Sequence, residues 1–285
     1  MHAPGHSSGV LRRPDASLHY EVSGAGPAIV FAHGLGGNHL SWWQQVPHFS
    51  RRFTCVTFAH RGFPPSTLAS GAPVAAGFTD DLEALLDHLN LDGVSLVCQS
   101  MGGWSGLELA LRQPSRVRAL VMACTSGTVD YRRLPGLDAH WLQAWTERAQ
   151  RAAVELPRRG ASLPAGERMA SEQPALHQLY AGLSGLTPAS LREHVRREIT
   201  ALRHRPPDIL AGLAMPVLYL EGEEDLVFPP LAGPALAALT PRGAATSIPA
   251  TGHSAYFERA QRFNEIVEQF LASTQNQNRT QATPS

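Results

Sequence analysis

The segment Val94-Ser95-Leu96-Val97-Cys98-Gln99-Ser100-Met101-Gly102-Gly103-Trp104 constrains this chain more than any other stretch. An apolar run enters a small-residue turn holding one serine, and a helical stripe of Leu107, Ala110 and Leu111 begins at once. So tight a strand-to-helix turn holds Ser100 clear of the backbone, beside the first N–H groups of the new helix. Those groups are unpaired within the helix and sit at its positive end, so they can stabilise a developing oxyanion. This is the setting a nucleophilic serine needs. The pattern is G-x-S-x-G with Cys98 in place of the first glycine. Cysteine adds a CH₂–SH where strand and helix must approach closely, which a small shift of the helix would accommodate. A plain helix start capped by Ser100 fits the same residues.

Three further segments bear on that choice. Ala28 to Ala32 reads as a buried strand ending in the flexible loop His33-Gly34-Leu35-Gly36-Gly37, whose backbone N–H groups can face a ligand. Pro216 to Leu220 reads as another strand, opening onto Glu221-Gly222-Glu223-Glu224-Asp225. Thr251-Gly252-His253-Ser254 forms a turn just before the terminal helix. Serine, aspartate and histidine therefore follow one another, each in a loop after a strand.

With His60-Arg61-Gly62, these pieces spread from about residue 29 to about residue 270 in one register, and the chain resembles the α/β-hydrolase fold family of the single-domain serine esterase and lactonase type. The resemblance implies a Ser100–Asp225–His253 triad. Ser100 would be the nucleophile, His253 the base and later the acid, and Asp225 the carboxylate that fixes the His253 tautomer. Asp225, three residues after Gly222, fits the family pattern better than Glu221, Glu223 or Glu224, and Asp130 is an outside candidate. The backbone N–H groups of Leu35 and Met101 would form the oxyanion hole. His33 would pin its loop rather than react. The loop from Ala59 to Ser66 departs from the family at Ala59 and Pro64, and it receives no catalytic role.

The element order agrees with a mainly parallel twisted sheet covered by helices on both faces. Leu18–Val22 and Ala28–Ala32 start the sheet, and strands follow near 53–58, 94–98, 119–124, 216–220 and 245–248. A helix is expected over 80–89 with Thr79 as N-cap, and another over 102–112. Between Cys124 and Pro216 the rhythm breaks, over a length too great for a plain connection. This is read as a helical cap at 125–214 over a core of 1–124 and 215–272, where ligands of open α/β sheets bind. One cap helix spans about 138–155 and carries Trp141 and Trp145. Another spans about 189–203, with Thr187 as N-cap and Leu191, Val195, Ile199 and Leu202 facing inward. Trp104, Trp141 and Trp145 are candidate pocket residues, although the two cap tryptophans would equally glue the cap to the core. The tail 273–285 is expected to be disordered.

Composition narrows the classes. The chain has 285 residues, 43% of them hydrophobic, with a formal net charge of zero, so nothing favours nucleic acid or an anionic membrane as partner. No run approaches the ~18 apolar residues of a membrane span, and the N-terminus has no apolar signal core. The 3 cysteines, Cys55, Cys98 and Cys124, fall in or beside apolar strands and point to packing, a cytoplasmic setting and no disulfide framework. All basic residues are arginine, which excludes Schiff-base and lysine-anchored cofactor chemistry. There is no HExxH, paired CxxC or GxxxxGK[ST], so neither a metal nor another cofactor is expected. The resemblance also argues against dehalogenases and epoxide hydrolases, which put an aspartate at the elbow.

The leading expectation is a cofactor-independent hydrolase of a small to medium ester or lactone, working through acyl-Ser100. A C–C bond hydrolase, a bromoperoxidase-like perhydrolase and a low-turnover binding protein remain alternatives.

Overall fold

In the computed structural model the described residues run from 5 to 281, with side chains described through Thr274. In chain order the strands are β1 His6–Arg12, β2 Ala16–Ser23, β3 Ala28–Ala32, β4 Thr54–Phe58, β5 Thr67–Leu68, β6 Val94–Gln99, β7 Val117–Ala123, β8 Val217–Gly222 and β9 Gly243–Ile248. The helices are α1 Val46–Phe49, α2 Phe78–His88, α3 Gly102–Arg112, α4 Ala139–Arg158, α5 Gly166–Glu172, α6 Pro174–Gly185, α7 Ala189–Leu202, α8 Ala232–Leu239, α9 Ala255–Glu258 and α10 Ala260–Gln281.

The strands form one sheet in the order β1-β2-β4-β3-β6-β7-β8-β9, with β5 on β2. From β4 to β9 every neighbouring pair is parallel, whereas β1 and β2 attach antiparallel at one edge. Alternation along the central strands divides the core in two. Val30, Leu96, Cys98, Leu120 and Met122 pack with α2, α3 and α8 residues such as Leu82, Leu107 and Leu236. Ile29, Phe31, Val97, Val121 and Leu220 pack with Phe49 of α1 and Phe263 and Val267 of α10 on the other face. A parallel sheet buried on both faces needs such continuous apolar strands, and β6 is buried at all its positions.

Between β7 and β8 lie α4 to α7 and short 3₁₀ turns; the single strand-like contact among the described residues there is an isolated bridge from Val129 to Arg205. Asp138 does cap α4, its Oδ1 accepting from the Trp141 N–H at 2.7 Å. Val195 and Ile199 are buried along α7, with Leu191 and Leu202 partly buried beside them. No helix among the described residues is long and apolar enough to cross a membrane.

Two expected helix caps fail, and one strand went unread. Thr187 does not cap α7, because Pro188 occupies that position and no side chain caps it. Thr79 does not cap α2, because a 3₁₀ turn at Ala75–Gly77 runs straight into Phe78. β1 escaped detection because HSSGVLR is a polar edge strand without apolar alternation. The tail expected to be disordered from Ser273 continues α10 to Gln281. No glycine or proline interrupts 260–281, and Thr274 is buried with its hydroxyl donating to the Leu271 carbonyl at 2.8 Å. Residues 282–285 lie outside the described residues.

Candidate active site

Three strand ends converge at the carboxyl edge of the sheet. β6 leads into Ser100, whose φ of +47° is left-handed, and α3 starts two residues later. A non-glycine residue held there signals local strain, which the surroundings must enforce. The Ser100 N–H donates to the Ala123 carbonyl at 2.9 Å, extending the sheet register into the turn. Gly102 permits the close approach that follows, since a Cβ there would lie 2.2 Å from the Ala32 carbonyl oxygen. The serine side chain caps nothing: α3 has no side-chain cap bond, and Ser100 Oγ instead lies 2.9 Å from His253 Nε2.

The loops after β8 and β9 are zipped to each other. Glu223 and Glu224 N–H groups donate to the carbonyls of Ile248 and Thr251 at 3.1 and 2.8 Å. A Cβ on Gly222 would sit 2.1 Å from the Gly252 carbonyl oxygen, so only glycine lets these loops meet. Glu258 reaches back to accept the Gly252 N–H at 2.8 Å. Asp225 and His253 are thereby brought together, both buried, with His253 Nδ1 2.7 Å from Asp225 Oδ2. Asp225 Oδ1 accepts the N–H groups of Val227 and Phe228 at 2.7 and 2.9 Å. Asp130 is not part of this cluster: its carboxylate accepts from Arg132.

Leu35 follows Gly34, where a Cβ would lie 2.0 Å from Gln99 Oε1 and 3.3 Å from Ser100 Cβ. No described backbone group accepts the N–H of Leu35 or of Met101, which leaves both available beside Ser100. His33 pins this loop: its Nδ1 bonds the Gly34 carbonyl at 2.8 Å and its Nε2 accepts the His60 N–H at 3.0 Å. Burial lowers the His33 pKa to about 4, so the ring is neutral. Arg61, in the loop assigned no catalytic role, forks onto buried Asp81 at 2.6 and 2.7 Å. That pair anchors the loop to α2.

Around the Asp225–His253 pair lie two protonated neighbours. Burial and the Asp225 charge push the Glu221 pKa up to about 9. The same two causes raise the Cys124 thiol, whose sulfur lies within 4.8 Å of ligand atoms of Asp225 and His253. Cys55 and Cys98 are likewise buried and free, and burial raises both thiols.

A cavity of about 570 Å³ opens on Ser100 and His253. Leu35 and Trp104 line it from the core, and Tyr180, Ile199 and Arg203 from the α4–α7 segment. Of the three tryptophans expected in the pocket, only Trp104 is there. Trp145 instead donates its indole N–H to the Asp225 carbonyl at 2.9 Å, and neither it nor Trp141 reaches the lining. The helical stripe placed them on one side of α4, but which neighbour that side meets is a tertiary matter.

Residues 27–260 match the family described as the alpha/beta hydrolase fold. The chain belongs to that family. It is 27% identical over 273 residues to the putative non-heme bromoperoxidase BpoC of Mycobacterium tuberculosis, covering 90% of this chain and 98% of that one. It is also 27% identical over 284 residues to the 2-hydroxymuconate semialdehyde hydrolase of Pseudomonas sp., covering 95% of this chain and 97% of that one. Among solved structures it resembles a thermophilic esterase from Thermogutta terrifontis, with a TM-score of 0.71, 23% identity, and coverage of 95% of this chain and 99% of that one. For this α/β-hydrolase, sequence reasoning missed Gln99, Tyr180 and Arg203. The latter two belong to helices whose docking no local pattern encodes.

Proposed function

We propose that this α/β-hydrolase is a cofactor-independent serine hydrolase of small to medium carboxylic esters or lactones, with 125–214 serving as a cap on the core 1–124 and 215–272. The observation that carries the reading is the continuous hydrogen-bonded chain from Ser100 Oγ through both His253 nitrogens to Asp225, at 2.9 and 2.7 Å. Both are hydrogen-bonding distances, and the first is the one across which His253 would take the Ser100 proton.

In this mechanism Ser100 Oγ attacks the substrate carbonyl while His253 Nε2 takes the hydroxyl proton. Asp225 stabilises the resulting imidazolium and holds the ring in register. The Leu35 and Met101 N–H groups receive the oxyanion. The tetrahedral intermediate collapses as His253 returns the proton to the leaving oxygen, giving acyl-Ser100. A water then attacks the acyl carbon as His253 takes its proton, and His253 returns that proton to Ser100 Oγ as the acyl–oxygen bond breaks and the acid departs. The low-turnover alternative keeps the same triad and is separated from this reading by slow single turnover with tight ligand retention, where a hydrolase turns over steadily.

Intact-mass labelling with a fluorophosphonate tests the reading. Rapid addition of one label to the wild type, lost in both Ser100→Ala and His253→Ala, is the expected result. Absence of labelling in a folded wild type would overturn it.

A further inference from the structure

Arg203 is the C-cap residue of α7, and its guanidinium is held between two aromatic faces. Its Cζ lies 4.9 Å from the centre of the Trp104 ring and 5.3 Å from that of Tyr131. Trp104 is itself fixed, its indole N–H donating to the Ile199 carbonyl at 3.1 Å. Ring faces attract a cation but accept none of its directed N–H bonds. Arg203 Nε is buried and has no hydrogen-bond partner among the described residues. The nearby acid, Asp130, spends both oxygens on Arg132 at 2.7 and 3.2 Å.

A largely buried guanidinium with no carboxylate hydrogen-bonded to it is costly, and burial lowers its pKa from the ordinary value although the Asp130 charge offsets part of that effect. The C-terminal end of α7 offsets part of that charge, yet a helix end supplies only a fraction of an anion. Arg203 lines the same cavity as Ser100 and His253. That lining contains a second arginine, Arg196, and no aspartate or glutamate. Arg196 already has a partner in Glu193, so the uncompensated charge belongs to Arg203. Ser100, Trp104 and Arg203 thus face one cavity, whose lining sets no acidic side chain against the cation.

We infer that Arg203 is a substrate-binding residue that receives a free carboxylate, so the favoured substrates are esters or lactones carrying a second, ionised carboxyl group. This rests on the hydrolase reading above. The aromatic clamp pre-organises the guanidinium, and its open edge can take the two oxygens of a carboxylate.

The test compares p-nitrophenyl hemiglutarate with its uncharged analogue p-nitrophenyl valerate on wild type, Arg203→Gln and Arg203→Lys. Wild type is expected to favour the anionic ester in kcat/KM by about tenfold or more, the range of a charge-assisted hydrogen bond. Arg203→Gln should erase that preference by raising KM for the anionic ester towards the value for the neutral one. Arg203→Lys should recover part of it. Equal efficiency of the two esters on wild type would overturn the inference and leave the hydrolase reading intact. A readout without turnover separates the two claims. Calorimetry should show glutarate, but not glutaramide, binding to Ser100→Ala, whose arginine is untouched. Failure of glutarate to bind would overturn the carboxylate subsite, whereas binding without turnover of any ester would count against the hydrolase reading alone.

Discussion

Cys98 Sγ occupies the space that a side chain on Gly106 would need: a Cβ built on Gly106 would lie 2.3 Å from that sulfur. The position where the G-x-S-x-G pattern has its first glycine is thus compensated across the strand–helix contact, on the next turn of α3. The thiol fills a gap that only a glycine on the helix leaves open, so no shift of the elbow is required.

This pairing makes a reciprocal prediction. Gly106→Ala alone should lose about 1–3 kcal/mol by overpacking, despite the better helix propensity of alanine. Adding Cys98→Ala should recover most of the loss, because the two residues share one space and their effects cannot be additive. Urea denaturation of the two single variants and the double variant measures the coupling. Additive losses would refute the compensation.

Trp145 belongs to the acid loop rather than to the pocket. Removing its indole N–H in Trp145→Phe leaves the Asp225 carbonyl without its 2.9 Å donor, a loss of about 1–3 kcal/mol for a buried acceptor. The carboxylate that orients His253 shifts with the loop, so kcat should fall by about tenfold with KM little changed. Trp141→Ala, on the same helix but outside the lining, should leave both constants near wild type. Steady-state kinetics on one ester would distinguish a positioning role from a pocket role, which would raise KM instead.

The core and the three loops that bring Ser100, Asp225 and His253 together were legible because they are local in kind. Buried parallel strands read as unbroken apolar runs, and Gly102 and Gly222 mark places where backbones nearly touch. Asp225 and His253, 28 positions apart, could be picked out because each lies in a loop after its own strand. The cavity walls were illegible for the opposite reason. Tyr180 and Arg203 acquire their roles only when α6 and α7 dock, and amphipathic helices can dock in more than one orientation. Trp141 and Trp145 show the same limit, for their spacing fixed a helix face and left open what that face would meet. Thr187 and Thr79 were plausible caps overridden by the turns that enter those helices.

Glu221 should make the protein less stable as pH rises. Its folded pKa is raised to about 9, against an unfolded value near that of an ordinary glutamate, and its Oε1 lacks a partner among the described residues. The unfolded chain therefore releases this proton first. The stability it contributes is complete below about pH 4.5 and declines towards pH 9, at up to about 1.4 kcal/mol per pH unit. Glu221→Gln removes the ionisation while keeping the shape. The difference in unfolding free energy, variant minus wild type, should become steadily more favourable between pH 5 and pH 8, about the range set by that linkage. A difference independent of pH would mean that Glu221 is ionised in the fold.

His33 and His60 act in the opposite sense at the acid end. The His33 ring is buried with a pKa lowered to about 4, and burial lowers that of His60 well below the usual histidine value. His60 is enclosed by Phe58, Phe78 and His33, with ring centres at 4.7, 4.5 and 4.6 Å, and neither of its nitrogens has a partner among the described residues. Unfolding at pH 5 lets both rings take up a proton that the fold denies them. Stability is thus fully present above about pH 6.5 and falls as the pH drops towards 4, with His33 alone accounting for about 3 kcal/mol across that window. Acid should therefore loosen the loop that presents the Leu35 N–H, because His33 Nε2 can accept from His60 only while it is unprotonated. Proton uptake on denaturation, measured by calorimetry at pH 5 in two buffers of different ionisation enthalpy, should exceed that of His60→Phe by close to one proton. Equal uptake by the two proteins would place a charged His60 inside the fold and defeat the prediction.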